Sequence, residues 1–251
     1  MTRGLISVLA LVTCFSATAI VNIEAVRPKP GELGYKGQFK FDLGGSSGNT
    51  EQFKVGLGHN SVWNKGEYQN FVLLSYNYGE SFAVKDTDKS LLHLRHVRPV
   101  KKSLSWEIYG QSQTDEIKKL KLRTLGGVGG RWETKTDVVL WAMGAGAFYS
   151  YEELNAVAGL KSETEGVGRG NFYVSMNAQP VTGLTSVLTI YFQSKLDEWA
   201  DHHGFAKAML KAEWSESLAA ALEAELAYDS RPPAAVKKTD TTYFTSLIWK
   251  L

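Results

Sequence analysis

Apolar and polar residues alternate along most of the chain, which is the period of a β-strand whose two faces meet different environments. In the stretch YKGQFKFDL, Phe39, Phe41 and Leu43 alternate with Lys40 and Asp42. The same period recurs in TSVLTIYFQSKLD, in GRGNFYVSMN and in the final residues, TTYFTSLIWKL. The pattern therefore predicts an all-β protein in which each strand has one apolar and one polar face.

One segment, SLAAALEAELAY at 217–228, consists of good helix formers. Its three leucines nevertheless keep one parity, together with Ala220, Ala224 and Tyr228, while Glu223 and Glu225 keep the other. A helix would place these two carboxylates on its apolar stripe. We therefore predict a strand here as well.

Counting the alternating runs between turn signals predicts twelve strands. They are expected near residues 35–45, 50–63, 67–79, 89–99, 102–114, 118–133, 137–151, 166–178, 184–197, 204–214, 217–229 and 240–251. Short turns follow the even-numbered strands, and mostly longer connections, such as SFAVKDTDKS, follow the odd-numbered ones. This arrangement is typical of a transmembrane up-and-down antiparallel β-barrel.

Alternation alone does not say which face points into the barrel. Side chains fill a barrel of about eight strands, but twelve strands with an apolar interior would enclose an apolar hole. The polar face is therefore expected inside and the apolar face on lipid, since the runs reach the roughly 9 to 11 residues that a tilted spanning strand needs. Because an open edge is not tolerated in lipid, we expect the last strand to pair with the first.

The N-terminal residues indicate export. The stretch MTRGLISVLALVTCFSATAIV combines Arg3, an apolar run and an A-x-A pattern at 17–19, as secretory signal peptides do. Polar residues within the run disfavour a membrane anchor, and Thr13 before Cys14 disfavours a lipoprotein. We predict a signal peptide at 1–19, a periplasmic lead-in at 20–34 and a barrel at 35–251, located in the outer membrane of a Gram-negative bacterium.

Composition narrows the classes of partner. The formal net charge of +2 disfavours nucleic acid, because phosphate binding needs a basic surplus. Cys14 is the only cysteine and would leave with the signal peptide, so the mature chain would form no disulfide and hold no cysteine-bound metal. The expected partners are outer membrane lipid and, during biogenesis, the barrel-assembly machinery; no cofactor is expected, and the oligomeric state is left open.

The predicted inner face carries charges of both signs. Its candidate lumen-lining residues are Arg95, Glu107, Arg123, Arg131, Arg169, Lys195, Asp197, Lys207, Lys211, Glu223 and Glu225. A turn centred on Glu216 would place Lys207 directly opposite Glu225. The mixture of signs predicts a cross-strand ion-pair network, which suits either a narrow polar channel or a plugged scaffold whose charges satisfy one another.

Two further stretches could carry chemistry. The glycine-rich LGGVGGRW and MGAGAF lack the lysine and serine of a phosphate-binding loop, and indicate instead curvature or close approach of strands. Asp201, His202 and His203 fall in a predicted outer loop, where acid and imidazole could activate water or bind a metal. No partner constellation accompanies them, so solvated loop residues are the simpler interpretation, and we predict neither an enzyme nor a metal site.

Four stretches resemble the YdiY-like family of salt-induced outer membrane proteins, a domain-of-unknown-function family numbered 481. They are SSGNT at 46–50, QSQTDEIKKLKLRTLGGVGGRW at 111–132, MGAGAFYSYEE at 143–153 and YDSRPPAAVKKTDTTYFTSLIWKL at 228–251. The resemblance spans about residues 35–251 and implies an outer membrane barrel, without catalytic or ligand-binding residues. Leu251 departs from the aromatic residue that usually ends such barrels.

Together, pattern and resemblance predict an integral outer membrane barrel that acts as a structural or passive small-solute channel protein. Two alternatives belong to other classes. One is a barrel enzyme that uses the loop from Asp201 to His203. The other is a soluble secreted all-β binding protein.

Overall fold

The computed structural model describes residues 21, 23, 24, 26–28, 31–46, 52–117, 120–155, 164–231 and 238–251, so the predicted signal peptide lies outside it. These residues form twelve strands: β1 (Gly34–Ser46), β2 (Gln52–Asn64), β3 (Gln69–Ser81), β4 (Val84–Lys101), β5 (Leu104–Asp115), β6 (Leu120–Lys135), β7 (Val139–Leu154), β8 (Thr164–Val181), β9 (Leu184–Lys195), β10 (His202–Glu213), β11 (Leu218–Asp229) and β12 (Thr239–Lys250). The described residues include no helix that is long and apolar enough to cross a membrane.

Each strand pairs antiparallel with its neighbours in sequence, and β12 pairs with β1, so the sheet closes into a barrel. The predicted fold class, strand number and closing strand are thus confirmed. At the closing seam, the described pairing covers only Gln38–Asp42 of β1 and Ser246–Lys250 of β12, whereas β1 pairs with β2 along its full length. Among the strand pairs of the described residues, the seam has the shortest register.

The two ends of the barrel differ. The connections after β2, β4, β6, β8 and β10 are short, and we call their end the turn end and the opposite end the loop end. The predicted long connection after β3 is wrong, because the chain turns at Phe82 and Ala83, with φ of 49° and 57°. Two consecutive positive φ values make a two-residue hairpin turn, whose usual sequence signal is Asn-Gly. Phe-Ala carries no such signal.

Burial alternates along the strands and identifies the inner face. On β8, Asn171, Tyr173 and Ser175 are buried, whereas Phe172 between them is 48% exposed. The large exposed apolar side chains of the wall point outward, and the buried charged side chains of the strands point inward. This polarity agrees with the sequence prediction and is the reverse of that in a soluble barrel.

Aromatic side chains on the outer face gather near the strand ends. Six exposed tryptophans lie near the turn end: Trp63, Trp106, Trp132, Trp141, Trp214 and Trp249. Exposed tyrosines near the loop end include Tyr149, Tyr151 and Tyr228. Two such belts are typical of the two interfaces between a membrane and water.

The backbones of β6 and β7 approach each other closely where Gly129 lies opposite Gly146. A Cβ atom on Gly146 would overlap the carbonyl oxygen of Val128, whereas one on Gly126 would meet nothing within 4 Å. We therefore expect Gly146→Ala to destabilise the barrel by about 1–3 kcal/mol. The matched change Gly126→Ala is expected to cost less than about 0.5 kcal/mol. Urea midpoints, followed by heat-dependent gel mobility, check this, and equal midpoints would contradict it.

Candidate functional site

The structure places ten of the eleven candidate lumen residues on the inner face, namely Arg95, Glu107, Arg123, Arg131, Arg169, Lys195, Lys207, Lys211, Glu223 and Glu225. Asp197 is the exception, and its assignment to the lumen is wrong. The amide of Lys195 donates to the carbonyl of Asp201, so β9 ends in a turn and Asp197 lies exposed beyond it. The alternation of apolar and polar residues in the sequence continues past the point where the chain turns.

Midway along the lumen, an ion-pair network joins three strands. Lys207 lies opposite Glu225, as predicted, and its Nζ is 2.8 Å from Glu225 and 2.6 Å from Glu223. Lys40 reaches the same Glu223 at 2.5 Å, across β12. The side chains of Lys40, Lys207 and Glu225 are 18–27% exposed, so solvent reaches this part of the lumen.

The half of the lumen nearer the turn end is filled by the chain itself. We call the described residues 21, 23, 24 and 26–28 the inner segment. Ile23 is fully buried, and with Val21 and Val26 it packs against an apolar patch on β2, β3 and β4 that consists of Val62, Phe71, Leu73 and Val97. The sequence predicts a periplasmic lead-in at 20–34, and the described part of that stretch at 21–28 lies against the inner wall of the barrel. The apolar side chains of the inner segment pack against this patch, although the sequence predicts a polar inner face.

Glu24 links the inner segment to β6 through a two-pronged ion pair. Its two carboxylate oxygens each accept a hydrogen bond of 2.7 Å from Arg131, and both side chains are almost completely buried. Burial by itself would raise the pKa of Glu24, which lies outside the strands. The charges of Arg131 and Arg27, with the hydrogen bonds from Arg131, outweigh burial and lower that pKa to about 2. The pair is therefore ionised at neutral and mildly acidic pH.

Arg27 of the inner segment occupies a cation subsite on β3 and β5. Its guanidinium donates to Glu107 at 3.2 Å and to Gln69 at 3.3 Å, and lies 5.3 Å from the centre of the Phe71 ring. Its Nε lies 3.5 Å from Glu24 but has no hydrogen-bond partner among the described residues. Arg27 therefore contacts both the wall and Glu24 of its own segment.

Wall side chains also hold the main chain of the inner segment. Arg95 donates to the carbonyl of Val21 at 3.1 Å and to the carboxylate of Glu107 at 3.1 Å. Asn177 donates to the carbonyl of Glu24 at 3.3 Å. All of these contacts are non-covalent, so they can be broken without unfolding a strand.

Beside the inner segment, the lumen is narrowed by aromatic side chains from β5, β8 and β9. Tyr109, Tyr173 and Tyr191 belong to one buried cluster. A remaining cavity of about 10 Å³, lined in part by Arg95, Glu107 and Tyr109, leaves room for roughly one water molecule. These side chains thus narrow the lumen at this level.

The side chains of His202 and His203, which form the candidate enzymatic site with Asp201, point to opposite faces of the barrel wall. His203 points inward, 3.7 Å from Asp201 and 3.5 Å from Asp229, while Asp201 pairs with Arg169 at 2.9 Å. Burial alone would raise the pKa of Asp201, but the hydrogen bond and charge of Arg169 lower it below its ordinary value. His202 packs on the outer face against Tyr228. Within the described parts of the chain, no group of three or more His, Cys, Asp or Glu side chains could hold a metal ion.

The closed twelve-stranded wall, the charged lumen and the apolar outer surface define a class, the transmembrane β-barrels of the outer membrane type. The chain belongs to the family described as "Protein of unknown function, DUF481", whose profile matches residues 41–251. A comparison with curated protein sequences finds no match.

Several solved structures share the fold. The chain is similar to the NanC porin, with a TM-score of 0.55 and 9% identity over 87% of this chain and 100% of that one. It is also similar to the translocator domain of the autotransporter NalP from Neisseria meningitidis, with a TM-score of 0.51 and 11% identity over 88% of this chain and 89% of that one. An outer membrane channel from Pseudomonas putida F1 has a TM-score of 0.51 and 9% identity over 89% of this chain and 99% of that one. At these identities, the likeness shows the fold alone.

Proposed function

We propose that the protein is an outer membrane channel for small solutes, held closed in this conformation by its inner segment. The observation that carries the proposal is the asymmetry of the lumen. Lys40 and Lys207, midway along their strands, keep 18% and 20% of their side chains exposed, whereas Ile23 and Glu24 are buried nearer the turn end. The described residues of the inner segment belong to none of the twelve strands, so the segment can leave while the wall stays intact.

The charges of the inner segment favour a removable plug over a permanent filler. A buried ion pair is often no more stabilising than apolar residues of similar volume. The charges of Glu24 and Arg27 would therefore add little stability to a permanent filler. They lower the free energy of the open state of a removable plug, because water can solvate the charged groups of the released segment. Water can also solvate the uncovered wall residues Arg131 and Glu107.

The proposal includes the surroundings that the sequence predicts. The chain is exported to the outer membrane of a Gram-negative bacterium, its outer face contacts lipid, and barrel-assembly machinery inserts it. We assign it no catalytic role, and the separation of His202 from His203 by the barrel wall supports that choice.

Single-channel recording in planar bilayers tests the proposal. Ile23→Asp places a charge against Val62, Phe71 and Val97, and should expel the inner segment. We expect conductance steps that are frequent in this variant and rare in the unaltered protein. Leu33→Asp, an apolar-to-acid change at an exposed position, is the matched control and should behave like the unaltered protein.

Heat-dependent gel mobility must show that each protein is folded. If folded Ile23→Asp gives no steps above the lipid baseline, the protein is a scaffold and the channel proposal fails. If the unaltered protein conducts as often as the variant, the inner segment is not what closes the lumen.

A further inference from the structure

We propose that the inner segment occupies a binding site for a small zwitterion, a solute with a carboxylate close to a planar cation. The inference rests on the proposed channel function, for which it names the class of solute. Glu24 and Arg27 stand where the two charged groups of that solute would bind. Such a solute and the inner segment compete for one site, so binding favours the open channel.

Arg131 supplies the carboxylate half of the site. Its two terminal nitrogens are both directed at Glu24, in the two-pronged geometry that fits a carboxylate. The rest of its guanidinium contacts wall groups, since Nε pairs with Glu133 and Nη1 also donates to the hydroxyl of Tyr173. These wall contacts hold the guanidinium in place when Glu24 leaves, so the paired donors stay aimed into the lumen.

The cation half of the site lies on β3 and β5. Glu107 and Gln69 accept hydrogen bonds from Arg27, and the Phe71 ring lies beside its guanidinium. A carboxylate, an amide oxygen and an aromatic face together suit a planar cation better than a compact ammonium. The Nε of Arg27 is 3.5 Å from Glu24, so the two halves of the site are adjacent.

The charge of the uncovered wall indicates a zwitterion and disfavours a simple ion. Arg95 and Arg131 are matched there by Glu107 and Glu133. A lone anion would bind near two carboxylates without compensating for them, and a lone cation would bind near two arginines. A solute of zero net charge that carries both signs leaves every group paired, as the inner segment does.

Thiol labelling of a buried position measures the competition. Ile23→Cys, in a Cys14→Ser background, places a thiol on the buried side of the inner segment, against the wall, where a membrane-impermeant maleimide reacts only after the segment leaves. The probes are 4-guanidinobutyrate, which carries both charges, butyrate with the carboxylate alone, butylguanidinium with the cation alone, and glucose. We expect 4-guanidinobutyrate to raise the labelling rate saturably, about tenfold, and the other three to change it less than about twofold.

Two variants test the residue assignment. Arg131→Lys keeps the charge but cannot bind a carboxylate with two parallel hydrogen bonds. It should abolish the response to 4-guanidinobutyrate, whatever its basal rate. Arg123→Lys, which alters an inner-face pair with Glu152, is the matched control and should retain the response.

The outcomes separate this inference from the channel proposal. If no probe accelerates labelling, or if butyrate acts as strongly as 4-guanidinobutyrate, the zwitterion site is wrong, even where Ile23→Asp conducts. If labelling responds as expected but folded Ile23→Asp is silent in bilayers, the site stands and the channel function fails.

Discussion

Replacing Glu24 by glutamine is expected to release the inner segment and to expose position 23 to solvent. The change leaves Arg131, which is fully buried, facing a neutral amide in place of a carboxylate. Removing one partner of a buried pair costs about 3–5 kcal/mol. Taking the lower part of that range, because the oxygen of the new amide can still accept a hydrogen bond, the closed state should lose roughly 10²- to 10³-fold in population. The maleimide labelling rate of Ile23→Cys should rise accordingly.

Glu32→Gln is the matched control for this prediction. Glu32 also pairs with a cation, Lys36 at 2.7 Å, but this pair is largely solvated and lies outside the inner segment. An exposed pair contributes about 0–1 kcal/mol, so labelling should change by no more than a few-fold. Equal rates in Glu24→Gln and the unaltered protein would show that the Glu24–Arg131 pair does not hold the segment. Heat-dependent mobility verifies that each barrel is closed.

Glu223→Gln is expected to weaken the barrel wall itself. Glu223 is almost completely buried on β11 and accepts from Lys207 of β10, from Ser246 of β12 and from Lys40 of β1. Its bond to Lys40 therefore spans the closing seam, where the pairing of β1 with β12 is short. We expect the change to cost about 3 kcal/mol of unfolding free energy, measured by urea titration in detergent micelles.

Glu225→Gln provides the comparison on the same strand. Glu225 shares Lys207 with Glu223 but is 27% exposed and does not contact β1 through any ion pair in the described structure. Solvent screens this pair, so we expect a loss below about 1 kcal/mol. Equal losses in the two variants would mean that the bond across the seam contributes nothing beyond an ordinary lumen pair.

These two predictions concern different parts of one lumen. The network around Glu223 stabilises the wall at its seam, whereas the pairs of Glu24 and Arg27 hold a segment that is not part of the wall. Loss of the Glu223 network should lower the stability of the barrel without exposing position 23. Loss of the pairs of Glu24 and Arg27 should expose position 23 without lowering the stability of the barrel. The lumen charges thus divide into structural and regulatory groups by the element that each pair joins.

The sequence by itself determined the wall. Strict alternation in stretches such as YKGQFKFDL specifies which side chains share a face, because side chains on a strand alternate with period two. It also determined the register of β10 and β11, since the short turn at Glu216 places Lys207 opposite Glu225. The segment at 217–228 is a strand despite its helix-forming composition, because only a strand separates its carboxylates from its apolar residues.

Only the tertiary structure decided what fills the lumen. Alternation describes strands, but the inner segment is not a strand, and its contacts with Val62, Phe71 and Arg131 join residues far apart in sequence. The residues of the turn at Phe82 carry no turn signal, and the alternating pattern continues past the end of β9 to Asp197, so the sequence alone specifies neither feature. The sequence does contain one signal of the inner segment, because the charged residues Glu24 and Arg27 interrupt an apolar stretch. Their partners could be found only once the barrel had closed and brought its inner charges within reach.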